Sequence, residues 1–233
     1  MIACLPSGAY GTTLATSVAM QLLSSSPSIR FGLMVGVGGA VPSREADIRF
    51  GDVVVSNPTD THGGVVQYDH GKALGGGGFQ RTDMLNHPPR ILLMALSKLR
   101  ANHLLRGCHF MDFLADIHHE IPQLEVNFPR PALRDHLYRA DYDHEDINPK
   151  TCRGCDVTKP VFRPSRTPDT PVIHCGLMAS GNQVVKDSRL RDKLGQELGV
   201  YCVEMEAAGL MDSFPCLVIR GICDYADSHK NKD

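Results

Sequence analysis

The stretch "VYCVEMEAAGLMDSFPCLVIRGICDYADSH", residues 200–229, decides how this chain is read. It holds two apolar runs, each closed by acids: Glu204 and Glu206 after the first, Asp224 after the second. A segment of helical character lies between them. Near-continuous apolar runs mark strands covered on both faces, and a helix between two of them makes a crossover unit. Acids placed where buried strands stop are poor core material and good site material, because a charge leaves water only for a partner. Glu204 and Glu206 stand two apart, so on an extended segment both point to one face. A carboxylate there accepts hydrogen bonds from a cis-diol. Structural alternatives exist for each: Glu206 as an acid in the first turn of a helix, and Asp224 as a turn or N-cap aspartate. Together the three acids suggest a pocket that grips a hydroxylated ligand and donates a proton to it.

Working outward, "IRFGLMVGVGG" (29–39), "GDVVVSNP" (51–58), "GGVVQYDHG" (63–71) and "PVIHCGLMASG" (171–181) read as strands bounded by Gly and Pro signals, and "MIACL" (1–5) as a short buried one. "TTLATSVAMQLL" (12–23) and "PPRILLMALSKLRANHLL" (88–105) carry helical periodicity. "DSRLRDKLGQELG" (187–199) is a helix with Asp187 as N-cap and Gly199 just past its end. In folds of alternating strands and helices, ligands sit beyond the carboxyl ends of the strands. Residues 36–39, 180–182 and 204–206, together with Asp224, all fall at such ends. The glycines of "VGVGG" (35–39) allow close backbone approach to an anion or hydroxyl, although a tight turn explains them equally well. Val41 breaks a dinucleotide fingerprint, and the Lys and Ser/Thr of a P-loop are missing.

The 233 residues are 42% hydrophobic and 21% charged, which suits a single domain, 1–233, with a sizeable core. Residues 106–170 depart from the pattern. Prolines and charges dominate there, and a long insertion, partly helical and partly mobile, is expected to cover or flank the site. A net charge of −2 with scattered Lys and Arg argues against nucleic acid or a membrane surface as partner. No apolar run approaches the roughly 20 residues of a membrane span. Eight cysteines, several inside apolar runs, suit a reduced, cytoplasmic protein. Cys152-x-x-Cys155 has His144 nearby but no second ligand pair, so a plain loop pair is expected and no metal site.

The blocks "GLMVGVGGAVP…FGDVVVS", "GLMASGNQVVKD", "VEMEAAGLM" and "VIRGICDYADSHKN" resemble the nucleoside phosphorylase and nucleosidase superfamily, and most resemble its fungal branch, often fused to ankyrin, tetratricopeptide or nucleotide-binding modules. The resemblance covers nearly the whole chain. It implies a three-layer sandwich with a twisted, mostly parallel central sheet flanked by helices, without the family's first strand and last helix in this stretch. It also implies cleavage of the N-glycosidic bond of a purine nucleoside or nucleotide, with no cofactor, in a homo-oligomer. Carried over by position, Met205 and Glu206 hold the ribose, with Glu204 beside them, and Asp224 faces the purine N7 as proton donor. Val184 and Val185 lie against the base, while Gly36, Val37 and Gly38 border the nucleophile pocket. Bond cleavage leaves positive charge on the sugar and negative charge on the base, and a donor at the base relieves the latter.

Hexameric phosphorylases of this superfamily place an Arg before the glycine loop and a Ser within it. Met34 and Val37 stand there, and neither binds an anion, which favours water over phosphate as nucleophile. Arg30, Arg44 or Arg81 are the cations left to recruit. A different class of function also fits: a catalytically inactive nucleoside-sensing or interaction module.

Overall fold

The computed structural model describes residues 1–82, 84–127, 135–144, 152, 154–167 and 170–230. Its elements run α1 (Thr12–Ser25), β1 (Gly32–Ala40), β2 (Val53–Ser56), β3 (Val65–Gln67), β4 (Gly71–Ala73), β5 (Phe79–Arg81), α2 (Arg90–Arg106), α3 (Phe110–Glu120), α4 (Pro122–Asn127), β6 (Ile173–Ser180), α5 (Ser188–Leu198), β7 (Val200–Glu204), α6 (Ala208–Met211) and β8 (Cys216–Asp224). The main elements expected from the apolar runs are present. The β4–β5 hairpin, which carries no alternating pattern, was not foreseen.

The protein has a mixed α/β fold, and its mixed sheet closes on itself instead of forming the middle layer of the expected three-layer sandwich. The strand order is β2-β8-β1-β7-β6-β3, and β2 also pairs with β6, so five strands close on themselves and β3 lies outside on β6. The β1–β8, β2–β6, β3–β6 and β6–β7 pairs are parallel; β1–β7 and β2–β8 are antiparallel. Closure removes the free edges among those five strands and leaves β3 as an edge. Helices pack around the outside. Ala15 and Ala19 of α1 meet Leu210 and Phe214, Leu194 of α5 meets Leu177 and Val200, and Leu92 and Leu96 of α2 meet Val55 and Leu217.

Helix α5 follows its sequence signals closely. The Asp187 side chain accepts from the backbone N–H groups of Arg189 and Leu190, and Gly199 takes φ 68° past the last turn. Residues 1–5 do not form the expected strand. They lie outside every ladder, and Ile2 is 92% exposed. An apolar run is strand-like only when a neighbour offers a ladder, and local pattern does not supply that partner.

In the charge-rich stretch, two helices form early and the described remainder braces the barrel through ion pairs. Arg163 donates to Asp135 at 2.7 Å and to the Tyr225 hydroxyl at 2.5 Å, and Asp135 also takes a bond from Tyr225. Arg166 reaches Asp52, at the start of β2, at 2.7 Å.

Candidate functional site

Three strands bring their last residues together. β1 and β7 run antiparallel but overlap only at Gly39↔Val203 and Ala40↔Cys202, so their carboxyl ends meet tip to tip. β8 lies parallel to β1, and a register shift between Gly38 and Gly39 sets Asp224 opposite Gly39. Such a bulge re-aims a side chain at the end of a ladder. The convergence foreseen for parallel strands is therefore reached by a mixed sheet whose opposed strands barely overlap.

The tips line one cavity of about 980 Å³. Glu204, Met205, Glu206 and Asp224 border it, as do Gly36, Val37 and Gly38 on β1 and Val184 and Val185 after β6. All nine residues singled out in the sequence thus face a shared space. Val184 is exposed and Val185 is buried. Leu33, Val35 and Val37 make one side of the cavity apolar. Asp69, after β3, lies outside the cavity lining and accepts from the Asn182 backbone N–H at 2.7 Å.

Arg220 organises the acids. Its side chain is 3% exposed. Its Nη2 pairs with Glu204 and lies 3.1 Å from Glu206. Glu204, expected to touch a ligand, has a fully buried side chain whose oxygens are already engaged. Besides Arg220 they accept from the backbone N–H groups of Glu206 at 3.2 Å and Ala207 at 3.0 Å. Glu204 therefore shapes the turn after β7 and anchors Arg220, which in turn aims Glu206. Ser180, at the end of β6, accepts from Ala208 N–H at 2.9 Å and fixes the same turn.

Glu206 is the acid left facing the cavity. Burial pushes its carboxyl above the ordinary glutamate value, the Glu204 charge adds to this, and Arg220 opposes both. The Gly11 backbone N–H also faces this carboxylate. The Gly11 turn is held by Asn182, whose side-chain oxygen accepts from Thr12 N–H at 3.0 Å and the Thr12 hydroxyl at 2.9 Å.

Asp224 does not stand alone. The Lys230 ammonium lies 3.1 Å from each of its oxygens, and Ala226 N–H donates to it at 2.7 Å. Among the described residues, Arg220 and Lys230 are the cationic side chains lining the cavity; Arg30, Arg44 and Arg81 do not reach it, and Arg81 pairs with Glu197. Met34 offers the cavity a thioether, which takes a 3.6 Å contact from Arg220, and Val37 offers an aliphatic side chain.

Sequence reasoning missed Arg220 and Lys230. An arginine inside an otherwise apolar strand was the available signal for the first, since Arg is almost never buried unpaired. Nothing local marks Lys230.

The architecture is shared with solved nucleosidases. A futalosine hydrolase mutant of Helicobacter pylori aligns with TM-score 0.53 and 16% identity, covering 95% of this chain and 67% of that one. The 5'-methylthioadenosine/S-adenosyl homocysteine nucleosidase of Helicobacter pylori, solved with a pyrrolidine-containing ligand, aligns with TM-score 0.53 and 16% identity over 95% of this chain and 66% of that one. At that identity the likeness is one of fold. In sequence, the chain is 44% identical over 232 residues to a nucleotide-binding leucine-rich repeat (NLR)-like protein of Hyaloscypha variabilis. The match takes in 100% of this chain and 22% of that protein, so the chain spans about a fifth of the relative's length. No family model matches. Among the described residues, no helix is long and apolar enough to cross a membrane.

Proposed function

We propose that the cavity is a purine nucleosidase site, cleaving the N-glycosidic bond of a nucleoside or nucleotide with water as nucleophile. The observation that carries this reading is the separation of two acids with distinct partners in one cavity: Glu206 beside Arg220, and Asp224 beside Lys230. Glu206 and the Met205 backbone hold the sugar hydroxyls, which fixes the anomeric carbon for attack. The Asp224–Lys230 pair faces the purine N7 and delivers the proton that neutralises the departing base. Val184 and Val185 offer an apolar wall to the base. Gly36, Val37 and Gly38 border the space for the nucleophile. The fold shared with two Helicobacter pylori nucleosidases supports the reaction class, and the lack of an anion-binding side chain at Met34 and Val37 supports water.

The test is chromatographic detection of free base from a panel of purine nucleosides and nucleotides, with and without phosphate. Base release without phosphate, slowed about 10²- to 10⁴-fold by Asp224→Asn, is the expected result. Release that strictly requires phosphate would change the assignment to phosphorylase.

A second reading is favoured by the relative's size and name: the chain as a nucleoside-sensing module within a longer NLR-like protein. Calorimetry separates the two. Nucleoside binding that is lost in Glu206→Ala, without turnover at high protein concentration, identifies a sensor.

A further inference from the structure

The sequence alone treated Cys152 and Cys155 as a plain loop pair, and the structure adds a third ligand to them. His144, Cys152 and Cys155 come together so that one ligand atom from each lies within 4.8 Å of the others. Cys155 N–H donates to Cys152 O at 3.0 Å. The turn is set by the residues around it: Asp156 N–H donates to the Tyr142 hydroxyl at 2.8 Å, next to His144 in the chain but one. Cys155 is buried, and His144 and Cys152 are half-buried.

We propose that His144, Cys152 and Cys155 bind a zinc ion. Two sulfurs and an imidazole are a borderline-soft donor set, which selects zinc over magnesium or calcium. A tetrahedral centre with Zn–S of about 2.3 Å and Zn–N of about 2.0 Å separates its ligand atoms by roughly 3.3 to 3.8 Å. The ligand atoms, all within 4.8 Å of one another, lie close enough for one ion to bridge them. Binding releases the two thiol protons to solvent and leaves the thiolates on the metal, so charge balances without any redox step. No disulfide joins any of the eight cysteines, so neither sulfur ligand is committed to one.

The place of the cluster gives it a purpose. His144 N–H donates to the Ser228 hydroxyl at 2.8 Å, and Cys152 Sγ lies 3.8 Å from the His229 carbonyl. The His229 ring meets the His144 ring edge-on at 5.5 Å and stacks on Tyr138 at 3.8 Å. The next residue is Lys230, which holds Asp224. A zinc ion held by His144, Cys152 and Cys155 fixes its ligands to one another beside the loop that presents Lys230 to the cavity. The site is independent of the nucleosidase reading, since it stands on ligand chemistry outside that cavity.

The experiment is metal analysis of the full chain after expression in zinc-supplemented medium and gel filtration, followed by replacement with cobalt. About one zinc per chain is expected. The cobalt form is expected to show sulfur-to-metal charge transfer and the visible bands of a tetrahedral centre. Cys152→Ser/Cys155→Ser loses both, while Cys108→Ser, at an exposed cysteine elsewhere, keeps them. Three results overturn the proposal: wild type that retains no zinc and gives no cobalt spectrum, a Cys152–Cys155 disulfide found by peptide mapping of metal-loaded protein, or undiminished zinc in the double variant. Should the double variant fail to fold, the wild-type cobalt spectrum decides alone.

Discussion

Gly36 and Arg220 are register partners on β1 and β8, and the guanidinium fills the space a side chain on Gly36 would need. A Cβ built there would lie 1.9 Å from Arg220 Nη1. Arg220 is not free to step aside, because Glu204 and Glu206 hold its other nitrogen. The glycines of β1 thus do more than approach a ligand: they admit the side chains of the neighbouring strand. Gly39 does the same for Asp224, with a Cβ there at 2.7 Å from Oδ1.

Gly36→Ala is accordingly expected to displace Arg220 and weaken nucleoside binding at least tenfold, with a stability cost of about 1 to 3 kcal/mol as for other overpacked positions. Arg220→Leu is expected to cost more, about 3 to 5 kcal/mol, because it strands the buried Glu204 carboxylate. Paired denaturant melts and calorimetric titrations check both. Unchanged affinity in Gly36→Ala would mean that Arg220 does not aim Glu206.

The Asp224–Lys230 pair makes a chemical prediction. If its proton goes to N7, 7-deazaadenosine, which has a C–H at that position, binds but is not cleaved. Asp224→Asn is expected to lower turnover by about 10²- to 10⁴-fold, the usual contribution of a positioned acid. Lys230→Met is expected to lower it too, with the substrate KM less affected. Turnover of the deaza analogue at the rate of adenosine would remove N7 protonation from the mechanism.

How much of this was legible in the sequence follows the range of the interactions. The strands announced themselves because long apolar runs end at glycine, and α5 because Asp187 and Gly199 are local start and stop signals. The acids were legible for the same reason: a carboxylate closing an apolar run needs a partner. Barrel closure was not, because β2 pairs with both β8 and β6, and choice of partner lies outside any local pattern. Residues 1–5 look like a strand for want of that information. Arg220 sits in an apolar run and matters only through register with β1, while Lys230 reaches back six residues to Asp224 along irregular chain.

Glu206 predicts the acid limb of any activity. Burial and the Glu204 charge hold its proton above the ordinary value of 4.5. The ionised form accepts the sugar hydroxyls, so affinity is expected to rise with pH through a midpoint above that value, and Glu206→Gln to abolish the rise. Because the folded state holds this proton more tightly than the unfolded chain, ionisation of Glu206 costs stability as pH climbs through the same midpoint. Binding titrations across pH decide the matter, and a midpoint at or below 4.5 would sink the assignment of Glu206 as the sugar ligand.

Asp52 works in the opposite direction and predicts acid sensitivity. It is wholly buried at the start of β2. Burial alone would raise its carboxyl, yet hydrogen bonds from His174, Arg166 and the N–H groups of Val172 and Arg49 outweigh this and hold it at about 2, against 3.8 normally. A depressed folded value contributes stability above the unfolded value and loses it as pH falls toward the folded one. The difference corresponds to about 2 kcal/mol at 1.36 kcal/mol per unit. The stability gap between wild type and Asp52→Asn, measured by urea unfolding, is therefore expected to narrow by about that amount between roughly pH 6 and pH 2. Taking the difference cancels the other carboxylates, which titrate in both proteins. A gap that stays constant across that range would mean that the cluster around Asp52 binds the neutral acid as well as the ion, and that Arg166 braces the barrel by packing rather than by charge.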